Sequence, residues 1–312
     1  MKIYFAPLEG LTGHIYRNAY EKLYGDIDKY FAPFISPCEK YSMTPKERKD
    51  LSPENNKGIY LVPQILTNKS EHFIKAIDDL RELGYSEVNL NLGCPSGTVC
   101  AKGKGAGFLH DTDSLNFSLD KIYEYGTKNN VDISIKTRIG YLDANEFYEL
   151  QEIFNKFPVS ELIVHPRIRS DFYKGEPKHE YYDYAIKNAK APLIYNGNIF
   201  SKIDYDILCR KLDTEVDTVM LGRGIISNPS LVRELRTGNT EIDYKKFWEL
   251  HDLLYEEYKV VMSPDINILY RMKELWTYWR SSFDGIDRDI KQLLKVKRCA
   301  DYEIIIRSIR ND

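Results

Sequence analysis

Eight short apolar runs, each ending in polar or glycine-bearing residues, are the feature that most limits what this chain can become. They read KIYFAP (2–7), KYFAPFI (29–35), IYLVPQI (59–65), EVNLNLG (87–93), DISIKTR (132–138), ELIVHPR (161–167), PLIYNGN (192–198) and TVMLGR (218–223). Segments with helical patterning lie between them. In SEHFIKAIDDLRELG (70–84), Phe73, Ile74, Ile77, Leu80 and Leu83 share one face and Gly84 closes the end. Strand alternating with helix predicts a parallel sheet. Eight units within roughly 230 residues suit a (β/α)8 barrel of the TIM type better than an open, doubly wound sheet. The first turn, APLEGLTG, also lacks the GxGxxG that dinucleotide binding places in an open sheet.

After about residue 238 the rhythm changes. YKKFWELHDLLYEEYKVVM, INILYRMKELWTYWRSSF and RDIKQLLKVKRCADYEIIIRSIR read as amphipathic helices without strands. The expected division is a barrel over 1–238 and a small all-α domain over 239–312. A chain of 312 residues can bury a core that needs no disulfide staples. The five cysteines are odd in number and irregularly spaced, which predicts free thiols in a reducing, cytoplasmic setting. Cys94 and Cys100 lack CxxC spacing, so no metal is expected. No run reaches membrane-spanning length, and the N-terminus has no signal-peptide pattern. A net charge of −3 offers no global attraction for nucleic acid, so any such binding needs a local basic patch.

In a barrel of this kind, chemistry sits where strands end and the following loops begin. The predicted strand ends carry Pro7-Leu8-Glu9, Gln64, Asn91 with Cys94, Lys136 with Arg138, His165 with Arg167, Asn196-Gly197-Asn198 and Gly222-Arg223. Polar groups at the ends of apolar strands are costly unless a ligand satisfies them, and their recurrence across strands is what makes the set informative. Small residues after the seventh and eighth strands can turn tightly and aim backbone N–H groups at a phosphate. With Gln64 and Lys136 available, flavin mononucleotide (FMN) fits: phosphate at the last two strands, ring over the mouth, a lysine beside it. Read singly, Cys94 is as compatible with a buried structural thiol, and His165 with a satisfied strand-end histidine.

The segments APLEGLTG, VPQI, NLNLGCP, IKTR, VHPR, YNGNI and VMLGRG, in that order, resemble the tRNA-dihydrouridine synthases. These are FMN enzymes that reduce selected uridines in tRNA with NADPH. The resemblance spans the barrel to about residue 235, and its most specific element is NxGCP followed by a glycine-rich GAG. The first turn departs from it, carrying Leu8-Glu9 where Met-Ala is commoner. The resemblance implies that Cys94 protonates C5 of uracil while hydride from flavin N5 reaches C6. A thiol with a pKa of about 8.5 is mostly protonated at neutral pH and can act as that acid. It also implies that Asn91 touches the uracil, that Lys136 and His165 contact the flavin, and that Pro7, Leu8 and Glu9 meet it from the first turn. Arg138 and Arg167 would bind pyrimidine carbonyls or a tRNA phosphate. Gly103, Gly105 and Gly107 would let a loop approach an extruded nucleotide or change shape. Cys100 has no matching role.

For the RNA, the tail offers Arg271 and Lys273 beside Trp276, Tyr278 and Trp279, then Lys291, Lys295, Lys297 and Arg298. In one continuous helix, 291, 295 and 298 would share a face. The tryptophans read as bundle core and the basic cluster as the RNA contact. A monomer is expected. The competing readings are an FMN barrel acting on a small pyrimidine or enoate, which needs no basic tail, and a non-catalytic RNA binder, which leaves Cys94 and Lys136 without purpose.

Overall fold

The computed structural model describes residues 1–311. All eight apolar runs become strands: β1 (Lys2–Phe5), β2 (Lys29–Phe31), β3 (Leu61–Val62), β4 (Gln64–Ile65), β5 (Glu87–Leu92), β6 (Asp132–Gly140), β7 (Leu162–Ile168), β8 (Leu193–Tyr195) and β9 (Thr218–Leu221). Every pairing is parallel, in the order β3-β2-β1-β9-β8-β7-β6-β5-β4. β3 and β4 are one predicted strand interrupted at Pro63, which has no N–H to give to a ladder. Its carbonyl still accepts from Asn89 N at 2.9 Å, so the ring closes as an eight-fold TIM barrel. Several strands stop short of their sequence runs, β2 at Phe31 and β8 at Tyr195, because the following residues turn to build the mouth.

Side chains alternate across each strand. On β5, Val88, Leu90 and Leu92 pack outward against helices, and Asn89 and Asn91 point inward. The same parity places Ile163 of β7, Ile194 of β8 and Met220 of β9 in the small inner core with Tyr4, Ala6, Phe31 and Val62. Beneath this apolar layer lies an ionic floor. Lys29 Nζ sits 2.9 Å from Glu87 and 3.1 Å from Glu161, while the Tyr4 and Tyr60 hydroxyls donate to those same carboxylates.

Four α-helices follow Gly238, whose φ of +74° ends the last barrel-side helix: Tyr244–Val261, Asp265–Trp279, Asp287–Leu293 and Cys299–Asn311. The first packs on the barrel helix His14–Leu23. Trp276 and Trp279 are fully buried, in a cluster with Phe247, Trp248, His251 and Tyr302. The Tyr302 hydroxyl ties the bundle together, lying 2.7 Å from His251 Nε2 and accepting from Trp276 Nε1. The single helix expected over 288–310 is broken. Lys295 and Arg298 lie in the connection between the last two helices, so they share no helical face with Lys291. No helix among the described residues is long and apolar enough to cross a membrane, and none of their His, Cys, Asp and Glu side chains cluster as a metal site. All five cysteines are free thiols.

Lys29→Met should leave two carboxylates facing each other on the barrel floor. The expected loss is about 2 kcal/mol at neutral pH, less than the loss at a fully buried pair because the lysine is 19% exposed. The two carboxylates repel only while both are charged, so the deficit is full at neutral pH and shrinks in acid. Urea midpoints of both proteins at neutral and mildly acid pH check this; a pH-independent deficit would mean that Lys29 acts by packing alone.

Candidate active site

Inward parity continues past the apolar layer to the C-terminal ends of the strands, where the inward residues turn polar. Gln64, Asn91, Lys136, Arg138, His165 and Asn196 line one cavity of about 320 Å³. Pro7, Leu8 and Glu9 from the first turn, Cys94 from the turn after β5, and Gly197, Gly222 and Arg223 complete most of its wall. Asn91 is paired in register with Lys136, and Arg138 with His165, so neighbouring strands present these groups side by side.

The Cys94 turn is held from below. Asn91 Oδ1 accepts from Gly93 N at 3.0 Å and Cys94 N at 2.9 Å, while its amide donates to Gln64 Oε1 at 2.7 Å. Gln64 Nε2 donates to Asn89 Oδ1, and Asn89 Nδ2 to Ser134 Oγ, both at 2.8 Å. A chain of buried amides therefore runs from the barrel interior to the thiol, every link hydrogen-bonded. Asn91 and Gln64 are largely consumed by it. Asn91, expected to touch the uracil, acts here on the backbone of the thiol's own turn.

From above, the turn is clamped by its loop. Gly105 has φ +57°, and a Cβ there would lie 2.9 Å from both Cys94 Cβ and its carbonyl oxygen. A Cβ on Gly107 would come within 2.7 Å of the Cys100 carbonyl. The Cys100 thiol donates to the Cys94 carbonyl at 3.4 Å. These glycines serve close packing of the loop onto the two cysteines, a use that the expectation of a pliable, nucleotide-facing loop did not include.

The electrostatics are one-sided. Lys136 forms no hydrogen bond or ion pair among the described residues, and burial, then the neighbouring Arg138, pull its amine down to about 8. Burial and the surrounding Arg138, Lys136, Arg167 and Arg223 keep His165 neutral by pushing its pKa well down. Its Nε2 lies 3.0 Å from Arg167 Nη1, which can only donate, so the ring proton belongs on Nδ1. Burial pushes the Cys94 thiol up, against the opposing pull of a backbone hydrogen bond at Ser96 and the cations Lys136 and Arg138. Cys94 is thus a protonated thiol with two cations ready to receive its charge.

The two buried arginines, expected to bind pyrimidine carbonyls or a tRNA phosphate, hold backbone carbonyls of the protein itself. Arg138 donates to the carbonyls of Gly93, Ile168 and Phe172 at 3.0, 2.9 and 2.6 Å. Arg167, fully buried, donates to the carbonyls of Lys174 and Gly175. Together they pin the loop after β7 across the mouth. Arg138 still lines the cavity; Arg167 stands behind its wall. Asn198 is also outside the lining, accepting from Arg223 at 2.9 Å.

Sequence reading missed Tyr173 on that pinned loop, stacked under the Arg223 guanidinium at 4.5 Å, along with Phe34 and Phe200. It also missed that Glu274 and Tyr278 of the tail helix Asp265–Trp279 wall the same cavity. Nothing in their local sequence marks them; the only signal was position near the end of a predicted strand run for Phe34 and after one for Tyr173 and Phe200. Among the tail cations, Arg271 pairs with Glu274 at 3.1 Å, Lys273 donates to the Val296 carbonyl, and Arg298 grips Asp301 at 2.7 and 2.9 Å. Arg271 also lines a second groove of about 800 Å³ between the tail and the first two barrel loops, which adjoins the first cavity at Glu9, Leu11, Pro33 and Phe34.

A family profile described as dihydrouridine synthase (Dus) matches residues 4–278. The chain is 24% identical over 315 aligned residues to the tRNA-dihydrouridine(16) synthase of Vibrio vulnificus, covering 97% of this chain and 96% of that protein. It is 28% identical over 262 residues to the tRNA-dihydrouridine(16) synthase of Pseudomonas putida, covering 81% and 79%. Among solved structures, a morphinone reductase superposes with a TM-score of 0.54 at 12% identity, covering 79% of this chain and 90% of that one. A chitinase from Pseudoalteromonas aurantia does so with 0.51 at 12%, covering 77% and 100%. A reductase and a chitinase fitting about equally well means that this likeness is one of fold.

The thiol assignments predict an order of reactivity. A backbone hydrogen bond from Tyr41 holds the half-buried Cys38 thiol below its ordinary pKa, whereas burial raises Cys94. Alkylation followed by mass spectrometry across a pH series should therefore label Cys38 at lower pH than Cys94. Cys94 labelling first would contradict its protonated state.

Proposed function

The chain belongs to the dihydrouridine synthase family, and from that premise we propose that it reduces uridines in tRNA to dihydrouridine with bound FMN, NADPH supplying the electrons. The observation that carries the reading is a protonated thiol and an unpaired lysine amine facing one cation-rich cavity at the mouth of the barrel. The donor set fits FMN. Lys136, Arg223 and neutral His165 offer hydrogen-bond donors with no carboxylate paired to them among the described residues. At the last two strands glycines let the turns pack tightly on the barrel, since a Cβ on Gly197 would strike the Tyr195 ring and one on Gly224 the Ile199 carbonyl. Asn196, Gly197, Gly222 and Arg223 would hold the phosphate, Lys136 and His165 the ring and ribityl oxygens, and Pro7 to Glu9 the edge near the first turn.

When bound, the flavin supplies hydride to C6 of the uracil. The chain's own part is to position the base and protonate C5. Cys94 gives its Sγ proton to C5, and the thiolate left behind is stabilised by Lys136 and Arg138 until solvent restores the proton. Because the thiol is fixed by the Asn91 turn below and by Gly105 above, the proton starts from a defined place. The cavity lies below the rim of the barrel, so a stacked base reaches it only by leaving its helix. The groove beside Glu9 and Arg271 is the route we assign to the flanking RNA, with residues 239–312 as the helical domain that borders it.

Mapping dihydrouridine in tRNA from cells lacking this gene tests the function. Position 16 is examined first, since two relatives bear that number in their names. An unchanged dihydrouridine profile would end the proposal. Cys94→Ala should keep its flavin and lose on the order of a hundred- to ten-thousand-fold in turnover. For the wild type, turnover should fall as pH rises through the raised thiol pKa, because the acid form is then lost. Lys136→Met should retain less flavin. Flavin binding to the stripped wild-type protein should weaken as pH rises through about 8, where the lysine loses its charge; affinity flat across that range would remove Lys136 from the cofactor site.

A further inference from the structure

Of the cations that the sequence placed on the tail, Arg271, Lys273 and Arg298 are engaged with protein partners, whereas a group of lysines on the barrel rim has no carboxylate partner among the described residues. Lys69 lies in the loop between β4 and the helix Ser70–Glu82, and Lys102 and Lys104 lie in the loop that carries Cys94. Among the described residues no carboxylate lies within ion-pair distance of any of the three amines. The acid nearest in sequence is the exposed Glu71, which feels Lys69 only at a distance. The three are close to one another. Burial, then the repulsion of Lys102, with Lys69 adding to it, lowers the Lys104 pKa, and the Cys38 thiol opposes this.

Their placement is rigid. Asn68 Nδ2 donates to the Lys102 carbonyl at 3.1 Å, and Lys104 Nζ donates to Ser36 Oγ at 3.1 Å. Gly103, at φ +62°, leaves room for the Asn68 amide, and Gly105, next to Lys104, is packed on Cys94 itself. Lys102 and Lys104 are thus anchored on the loop that packs onto the thiol, and all three lysines lie at the same end of the barrel. On the other side of the Cys94 loop, Arg169 reaches towards Gly97, and its guanidinium lies 5.2 Å from the exposed Phe172 ring. Clustered cations that lack internal counter-charges repel one another, and an anion relieves that repulsion. Cations interleaved with an exposed ring match a single-stranded RNA segment.

Resting on the reading of the chain as a tRNA-modifying enzyme, we propose that Lys69, Lys102 and Lys104 form a rim that holds the RNA phosphates flanking the uridine turned into the cavity. This rim, rather than Lys291, Lys295 and Arg298, carries the main electrostatic contact on the Cys94 side. Its occupant is RNA backbone, so the contact is independent of base sequence and sensitive to salt.

The test is equilibrium binding of unmodified tRNA to the flavin-loaded full chain across a potassium chloride series. The variant Lys69→Gln/Lys102→Gln/Lys104→Gln is compared with Lys121→Gln/Lys128→Gln/Lys190→Gln, which removes three exposed charges away from the mouth. Neutralising three phosphate contacts should make the slope of log K against log salt shallower by about 2–3 and weaken binding at low salt by roughly tenfold or more. Flavin content and thermal unfolding should match the wild type, and the control triple should keep the wild-type slope. A rim variant with the control's slope would overturn the proposal while leaving the proposed function standing. A wild type that binds no tRNA would overturn both. Should the triple variant fold poorly, Lys102→Gln alone, at an exposed side chain, is decisive: its slope should fall by about 0.7–0.9, and no change would count against the rim.

Discussion

The structure depends on the two-residue alternation of side chains along parallel strands closed into a ring. Once one residue of a strand faces inward, all of its alternate neighbours must too. On β7 to β9 that parity writes an apolar plug in the middle of the barrel and the cavity wall above it: Ile163 beneath His165, Ile194 beneath Asn196, Met220 beneath Gly222. A one-residue slip would exchange these groups for outward-facing neighbours such as Leu92, Ile135, Val164 and Tyr195. The active site is therefore an extension of the core, produced by the same register that makes the barrel stable.

The polar layer carries a cost that the rest of the site is arranged to contain. Lys136, Arg138, Arg167 and Arg223 converge with little internal compensation, and an isolated buried charge is unfavourable. Two of the four find uses that need no acid: Arg138 and Arg167 saturate backbone carbonyls of the loop after β7, converting charge into loop order. Among the described residues Lys136 is left without a partner, and burial beside Arg138 lowers its pKa. Leaving an unsatisfied cation beside a neutral histidine and a protonated thiol makes sense if an anionic group completes the set, as the phosphate-bearing flavin of the proposed reaction would.

Cys94 illustrates how much support one reactive atom requires. Its turn is held from within the barrel by Asn91, backed by Gln64, Asn89 and Ser134 on three strands, and from outside by glycines that let the loop press onto it. The same loop presents Lys102 and Lys104 at the rim, so the acid and the proposed phosphate contact move as one piece. The tail adds the last wall through Glu274 and Tyr278, so the helical segment borders the cavity itself as well as the neighbouring groove.

Much of this was legible in the linear chain. The eight strand runs, their alternation and the residues at their ends are local properties, and they fixed the barrel, the identity of Cys94, Lys136 and His165 as cavity residues, and the burial of Trp276 and Trp279. Partners were not legible. That Asn91 would turn to its own backbone, that Arg138 and Arg167 would staple a loop, and that the cations near residue 298 would be drawn off by Asp301 and a helix break all follow from which polar atoms lie within about 3 Å of each other. Strand periodicity acts over neighbours two residues apart and is written in sequence. Hydrogen bonding and charge compensation act across distances that only closure of the ring brings within reach, and so the tertiary structure alone decided which of the expected ligands remain free to bind.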